Sequence, residues 1–398
     1  MCAALGAFAI VSSGLAPSAV AADVQSQQWY LDAMDATGMW KVSTGKGVKV
    51  AVIDSGVNPE TSSLKGQVLG DEVPKSVAYH ATKDFNGHGT SVAELIAGTG
   101  AGGGLKGVAP GAKVVPYRIR LDGLKDKAET KKTPEAAEAI KAAADTDAKI
   151  INMSFGSPYL YPDEEAAIKY AQSKGKLMFA SVGNEAEKKN DIGYPAAYPY
   201  VVGVAAADEN GRVGKFSEHG EYVDLAAPGL KVPVWCDATF RAYCDEAGTS
   251  FASAIASASA ALIWSAHPNW TANQVLRTLI DTAGRTWTKQ ERSNYVGYGM
   301  VRPRKVLENS KINPGSPSAD PLSLENGKGV TGATTPPSPS APASSQAPKD
   351  TSGGADATAA STSNSSDGNT QLYVILGAVL VVAIGGGAFA VARKRRTA

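Results

Sequence analysis

Short apolar runs that alternate with helix-like segments constrain the fold of this chain more than any other feature. The runs have the length and composition of buried strands and lie at residues 48–53, 114–119, 150–153, 177–182 and 201–204. Between them, residues 133–144 and 163–173 have helical spacing and composition. Because buried strands that alternate with helices form parallel sheets covered on both faces, we predict an α/β fold with a mostly parallel central sheet.

Three chemically distinct side chains occupy positions where such a sheet usually carries its functional groups. Asp54 directly follows the first apolar run, and His88 lies just before a predicted helix over residues 90–97. Ser250 opens a predicted helix over residues 251–266. Ligands of open α/β sheets bind at the carboxyl ends of the strands and at nearby helix starts, so these residues are candidates for one site.

A carboxylate, an imidazole and a hydroxyl are the groups that nucleophilic catalysis by serine requires. The imidazole removes the hydroxyl proton, and the carboxylate fixes the imidazole tautomer and stabilises its cation. Taken singly, Asp54 is also compatible with a turn, His88 with a hydrogen-bonded structural histidine and Ser250 with a helix N-cap. Together, and in the chain order Asp, His, Ser, they predict the catalytic triad arrangement of subtilisin.

The sequence around the three residues resembles the signatures of subtilisin-like serine proteases: DSGV at residues 54–57, HGTSVA at 88–93 and GTSFA at 248–252. The similarity extends from about Trp29 to Val306. It implies a protease that hydrolyses peptide bonds in a protein or peptide substrate without a cofactor.

Two positions depart from the family pattern. Glu94 stands where glycine is usual, and Ala254 stands where proline is usual. A carboxylate on a helix that is expected to be largely buried needs either a partner or an exposed position. Neither departure removes a catalytic group.

Two further segments resemble the substrate-binding parts of the family. In ASVGN, residues 180–184, Asn184 matches the asparagine that stabilises the oxyanion together with the Ser250 backbone N–H. In IINMSFG, residues 150–156, the end of a strand matches the edge that binds extended peptides. The predicted substrate-binding residues are Ser154, Phe155, Gly156 and Gly183. A polar turn after a strand and an ordinary α/β strand end remain the structural alternatives.

Composition excludes several other classes of function. The formal net charge is +1, which argues against nucleic acid as the principal partner, and 43% hydrophobic residues are enough for one sizeable core. The four histidines and three cysteines show no metal-ligand spacing, so no metal or other cofactor is predicted. The charged segment at residues 125–132 is predicted to be a solvated loop.

The amino-terminal residues 1–22 are predicted to be a signal peptide, because an apolar stretch ends in small residues of the type found at signal cleavage sites. A membrane anchor is the alternative. Export would leave Cys236 and Cys244 as a pair in an oxidising compartment, which predicts a disulfide between them, with two free thiols as the alternative.

The carboxyl-terminal part predicts a membrane anchor. Residues 314–370 are rich in Pro, Ser, Ala, Thr and Gly and are predicted to be a disordered linker. Residues 371–392 are apolar, and about 21 such residues make about 31 Å of helix, enough to span a bilayer. The basic residues 393–398 are predicted to be cytoplasmic, which places the catalytic domain outside the cell in a single-pass membrane protein.

The order of segments is similar to that of the mycosins, the membrane-bound proteases of type VII secretion systems. A signal peptide precedes a protease domain at residues 23–313, and the linker, anchor and basic tail follow. Only residues 23–28 separate the signal from the family-like start, so no separate inhibitory prodomain is expected. The resemblance implies a secretion-system membrane complex as a partner. A structural or regulatory subunit of that complex, and a nutrient-scavenging protease, are the competing hypotheses.

Overall fold

The computed structural model describes residues 24–121, 123–288 and 291–326 of the chain. Its centre is a sheet of six parallel strands in the spatial order β2-β1-β3-β4-β5-β6. These strands are β1 (Lys49–Asp54), β2 (Lys113–Arg118), β3 (Ile150–Met153), β4 (Leu177–Ser181), β5 (Val201–Ala207) and β6 (Leu225–Pro228). A second, antiparallel sheet pairs β7 (Val232–Trp235) with β8 (Tyr243–Glu246). The predicted α/β fold with a mostly parallel central sheet is therefore confirmed.

The described helices fall between and after these strands. They are α1 (Trp29–Ala33), α2 (Ala36–Trp40), α3 (His88–Ala97), α4 (Lys127–Lys132), α5 (Ala136–Ala144), α6 (Pro162–Ser173), α7 (Thr249–Ala266), α8 (Ala272–Thr282) and α9 (Pro303–Leu307). Short 3-10 turns occur at Val24–Gln27, Gly70–Glu72, Lys75–Val77 and Ala101–Gly103. The order of strands reverses at β1, which has β2 on one side and β3 on the other. In sheets of this kind a binding crevice forms at the carboxyl ends of the strands beside such a reversal.

The sheet has a hydrophobic core on each face. Successive residues of a strand point to opposite faces, so in β1 Val50 and Val52 join one core while Ala51 and Ile53 join the other. The first core also contains α3 and α7, and the second contains α5 and α6. Helices therefore cover both faces of the sheet, as the alternation of apolar runs predicts.

Helix α7 passes through the first core and is tied to the sheet by hydrogen bonds. Ser253 and Ser257 each donate a side-chain hydrogen bond to Asn152 Oδ1 at 3.0 Å. Serine is common in this helix because it is small enough for close approach and still satisfies the buried amide of β3. By length and composition α7 is also apolar enough to cross a membrane, but 89% of it is buried inside the protein, as expected of a core helix.

The charged segment around residues 125–132 is not a loop, and the prediction there is wrong. It forms α4, whose N-cap Asp126 accepts hydrogen bonds from the backbone N–H groups of Ala128 and Glu129. The Glu129 carboxylate forms an ion pair with the buried Arg118 at the end of β2. A local cap and an ion pair with a distant residue together stabilise a short helix that charge alone does not indicate.

The packed part of the chain continues beyond residue 313, where its composition predicts the start of a linker. Leu322 is buried, and the Asn326 side chain accepts a hydrogen bond from the Tyr200 backbone N–H at 2.7 Å. Glu325 pairs with Arg292. Residues 314–326 therefore pack on the protease body. The rest of the predicted linker, the membrane helix, the basic tail and the signal peptide lie outside the described residues.

Candidate active site

Asp54 and His88 are in direct contact at the carboxyl end of β1. Asp54 is the last residue of β1 and is fully buried, and His88 is the first residue of α3. His88 Nδ1 lies 2.8 Å from Asp54 Oδ1, so the carboxylate fixes which imidazole nitrogen carries the proton. Burial by itself lowers the pKa of His88, but the charge and hydrogen bond of Asp54 and the charge of Asp84 outweigh it and raise the pKa above its usual value.

Asp84 holds the loop that carries His88, a role that the sequence does not reveal. Its Oδ1 accepts hydrogen bonds from the Ser55 hydroxyl at 2.8 Å and from the Gly87 backbone N–H at 2.9 Å. Its Oδ2 accepts from the backbone N–H and the hydroxyl of Thr90 at 2.8 and 2.6 Å. One buried carboxylate thus connects β1 to the first turn of α3. The one sequence signal for this role is that Asp84 is an acidic residue four positions before His88.

Ser250 lies in the first turn of α7. It is 7% exposed, and its Oγ donates a hydrogen bond to the Ser154 carbonyl at 3.1 Å. The ring of the following residue, Phe251, has its centroid 5.7 Å from that of His88. Strand β1, helix α3 and helix α7 therefore bring all three predicted triad residues to one end of the sheet, with the Ser250 hydroxyl turned toward β3.

Asn184 lies three residues beyond the end of β4, beside the start of α7. Its Oδ1 accepts hydrogen bonds from the backbone N–H and the hydroxyl of Thr249 at 3.0 and 2.9 Å. Its Nδ2 amide lies near the residue before the helix, 3.8 Å from where a Cβ on Gly248 would stand. The helix N-terminus adds unpaired backbone N–H groups and a partial positive charge, so this corner favours a developing negative charge.

The predicted substrate-binding residues lie around the same corner. The Ser154 hydroxyl donates to the Ser250 carbonyl at 2.9 Å, so the end of β3 and the start of α7 are bonded in both directions. Phe155 is half-buried, and Gly156 is exposed. Gly183 has a φ of +118° and its backbone N–H donates to the Thr249 hydroxyl at 3.3 Å.

A groove of about 1110 Å³ adjoins this corner and extends between the chain after β2 and the chain after β3. It is lined by Ile119 and Leu121 after β2, by Phe155, Gly156 and Ser157 after β3, and by residues in and beside α5 and α6. Backbone groups at a strand end can hold an extended peptide by main-chain hydrogen bonds.

The two departures from the family pattern leave the site intact. Glu94 is fully buried in α3, and it is partnered: Thr61 Oγ1 donates to Oε1 at 2.7 Å and the Tyr243 hydroxyl donates to Oε2 at 3.0 Å. Burial raises its pKa to about 7, although these two hydrogen bonds act in the opposite direction. Ala254 is buried within α7, which continues without interruption through it.

Cys236 and Cys244 are joined by a disulfide that closes the β7–β8 hairpin. The hairpin packs on α3, where the Trp235 backbone N–H donates to the Ser91 hydroxyl at 3.0 Å. It also reaches the loop before His88, since a Cβ placed on Gly87 would lie 2.8 Å from the Asp237 carbonyl oxygen. The disulfide therefore stabilises a hairpin that packs against α3, the helix that begins at His88.

Known proteins define the class to which this site belongs. The model of the subtilase family, peptidase S8, matches residues 45–299. Subtilisin BL from Lederbergia lenta is 32% identical over 262 residues, which make up 65% of this chain and 90% of subtilisin BL. The chain belongs to the subtilase family, and it is a serine-type endopeptidase.

Solved structures narrow the resemblance to a particular group. The MycP3 protease of the type VII (ESX-3) secretion system is 29% identical, with a TM-score of 0.57 over 70% of this chain and 87% of that one. MycP1, described as an essential component of the type VII (ESX-1) secretion system, is 27% identical, with a TM-score of 0.58 over 73% of this chain and 90% of that one. The resemblance to subtilisin-like proteases, and among them to mycosins, is confirmed.

Proposed function

We propose that this protein is an exported, membrane-anchored endopeptidase that cleaves proteins outside the cell with Asp54, His88 and Ser250 as its catalytic triad. The observation that carries the proposal is the 2.8 Å contact between Asp54 Oδ1 and His88 Nδ1 beside the helix start that bears Ser250. A buried carboxylate that orients an imidazole toward a serine at a helix N-terminus is the arrangement that acyl transfer requires.

In the proposed mechanism, the Ser250 hydroxyl attacks the peptide carbonyl. Rotation about the Cα–Cβ bond of Ser250 moves the hydroxyl from the Ser154 carbonyl toward His88, which accepts its proton and later donates it to the leaving amine. Asp54 keeps the His88 tautomer and stabilises the imidazolium. Because the pKa of His88 is raised, kcat/KM is expected to increase with pH until His88 is neutral.

The oxyanion and the substrate backbone have their own proposed partners. The Asn184 Nδ2 amide and the Ser250 backbone N–H donate to the oxyanion, because both face the corner between β4 and α7. The peptide lies in the groove between the chain after β2 and residues 155–156, and Gly183 lies beside the start of α7. Main-chain hydrogen bonds there align the scissile carbonyl with Ser250.

Replacement of Ser250 tests the catalytic assignment. Ser250→Ala in the full chain, purified in detergent, should lower kcat for a peptide library by about 10⁶-fold, the loss known for subtilisin itself when its serine is removed. The matched control is Ser259→Ala in the same helix, whose hydroxyl donates to the Ile255 carbonyl within that helix and which should retain full activity. Undiminished cleavage by Ser250→Ala would refute the triad.

The proposed location and partner rest on sequence and on the mycosins. The apolar residues 371–392 and the basic residues 393–398 support a single anchor with a cytoplasmic tail, and residues 1–22 support export. The similarity to proteases of type VII secretion systems supports a secreted protein, or a component of such a system, as the substrate. Protease digestion of intact cells should remove the catalytic domain and leave the tail protected if this topology is correct.

A structural role in a secretion complex is the second candidate function. It is favoured by the description of MycP1 as an essential component of its secretion system, since an essential part can act by binding as well as by cleavage. Secretion in a strain that carries Ser250→Ala, compared with a strain that lacks the chain, separates the two. Secretion that persists with Ser250→Ala but fails without the chain would assign the main role to the scaffold.

A further inference from the structure

We propose that Glu218 forms the anionic floor of the pocket for the P1 residue, whose carbonyl is attacked, and that it selects lysine or arginine there. The inference rests on the proposed function, because it assigns the substrate class of the same cleft.

The pocket is built from backbone between two walls. Residues 155–157 form one wall and residues 182–184 the other. Tyr194 closes the space between them, because it exchanges two backbone hydrogen bonds with Ser157, each 2.8 Å long. Gly193 packs so closely on the other wall that a Cβ there would lie 2.3 Å from the Val182 carbonyl oxygen.

Three glycines line this space, namely Gly156, Gly183 and Gly193. A Cβ on Gly156 would face the Tyr194 carbonyl at 3.6 Å and meet nothing nearer. We call the space between residues 155–157, residues 182–184 and Tyr194 the slot, which is bounded by main chain because these three positions carry no side chain. Gly183 adopts a φ of +118°, which disfavours any residue with a side chain at that wall.

The Glu218 carboxylate lies against the two inner glycines. Its Oε2 would be 1.9 Å from a Cβ on Gly183 and 3.3 Å from a Cβ on Gly193. The Glu218 backbone N–H donates to the Gly183 carbonyl at 3.0 Å, which fixes the position of this residue under the slot. The whole residue is 6% exposed, so the carboxylate is shielded from bulk water and directed at the glycine wall.

This carboxylate has no cationic partner among the described residues of the protein. The two acidic residues nearest to it are different: Glu185 pairs with Lys188 and Asp191 pairs with Lys189. Burial, together with the negative charges of Asp191 and Glu185, raises the pKa of Glu218 to about 7, although a hydrogen bond from the Glu185 backbone N–H acts in the opposite direction. A cation that enters beside this carboxyl group would stabilise its ionised form, so the site suits a positively charged ligand.

A lysine or arginine side chain fits the slot better than other cations. Its apolar stem can pass between the glycine walls beside Phe155, and its charged end can reach the carboxylate. A metal ion would require more ligands, and within the described ranges no group of three or more His, Cys, Asp or Glu side chains is placed to hold one.

The first test uses the unmodified full chain and three peptides that differ only at P1. Arginine, its neutral isostere citrulline, and leucine are compared by kcat/KM. We expect arginine to be preferred over citrulline by about 30-fold or more, because a buried charge pair is lost in the isostere. Equal kcat/KM values for the arginine and citrulline peptides would overturn the inference. The proposed function would still stand in that case, because both peptides would be cleaved. Cleavage of none of the three would refute the proposed function and this inference together.

The second test removes the charge from the protein. Glu218→Gln should reduce the preference for arginine over citrulline to within about threefold. The matched control is Glu187→Gln, an exposed residue of the preceding loop, which should keep the preference of the unmodified enzyme. A preference that survives in Glu218→Gln would overturn the assignment. If that variant fails to fold, the comparison of arginine with citrulline in the unmodified chain still decides the question.

Discussion

Two buried glutamates in this protein have similarly raised pKa values and very different neighbours. Burial raises the pKa of both Glu94 and Glu218 to about 7. Glu94 accepts hydrogen bonds from the hydroxyls of Thr61 and Tyr243, whereas Glu218 lies against Gly183 and Gly193. A raised pKa alone therefore does not distinguish a structural carboxylate from a binding one, but the partners do.

The positions of the two glutamates explain the difference. Glu94 lies beneath the β7–β8 hairpin, which the disulfide closes and which supplies the Tyr243 hydroxyl. Glu218 lies beneath a slot that opens between Gly156 and Asn184, both of them exposed. In the first region two side-chain hydroxyls donate to the carboxyl group, and in the second the Glu185 backbone N–H donates and the proposed ligand supplies the charge.

The largest effect that tests this comparison is a difference in stability. At pH 5, where both carboxyl groups are neutral, Glu94→Ala should lower the free energy of unfolding by about 4 kcal/mol, because it leaves the hydroxyls of buried Thr61 and half-buried Tyr243 without their acceptor and opens a cavity. Glu218→Ala should lower it by only about 1 kcal/mol. Denaturant titrations followed by tryptophan fluorescence, in a Ser250→Ala background that prevents self-digestion, measure both values. Equal losses would mean that Glu218 is also structural.

A second, slightly smaller effect is the dependence of stability on pH. The folded pKa of Glu94, about 7, lies above its unfolded value of 4.5, so the proton is bound more tightly in the folded state. Its contribution to stability is complete below about pH 4.5 and is lost as the pH rises to about 7, by an amount of order 3 kcal/mol.

Glu94→Gln removes this titration and is the variant that isolates it. In the Ser250→Ala background, the free energy of unfolding of the protein that keeps Glu94 should fall relative to that of Glu94→Gln as the pH is raised from 4.5 to 8. Taking the difference between the two proteins cancels the contributions of Asp224 and Glu164, whose pKa values burial also raises to about 7. A difference that does not change with pH would show that Glu94 is ionised throughout.

The central sheet is predictable from sequence because its strands are continuous apolar runs. The run at residues 150–153 coincides with β3, and the runs at 48–53 and 114–119 differ from β1 and β2 by one residue at each end. The sixth strand, β6, is short and contains proline, and the β7–β8 hairpin is partly exposed, so neither has the pattern of a buried strand. These segments are strands because they pair with adjacent strands, and the sequence does not show that pairing.

The candidate site divides in the same way. Motif spacing indicates Asp54, His88 and Ser250, because each lies where a local element begins or ends. The partners of Glu94 are 33 and 149 residues away along the chain, so the sequence shows only that a partner is needed. Glu218 gives no local signal at all, since its role depends on glycines from two other segments.

The smallest predicted effect isolates one hydrogen bond of the Glu94 cluster. Tyr243→Phe removes the donor to Glu94 Oε2 and should lower the free energy of unfolding by about 1 kcal/mol at pH 5. The loss should grow toward pH 8, because a hydrogen bond to the ionised carboxylate is about twice as strong as one to the neutral acid. Tyr159→Phe, at a tyrosine that is 67% exposed, is the matched control and should change stability at neither pH. A loss that shrinks as the pH rises would contradict this prediction. It would mean that the Tyr243 hydroxyl stabilises the neutral acid of Glu94 more than the ionised carboxylate.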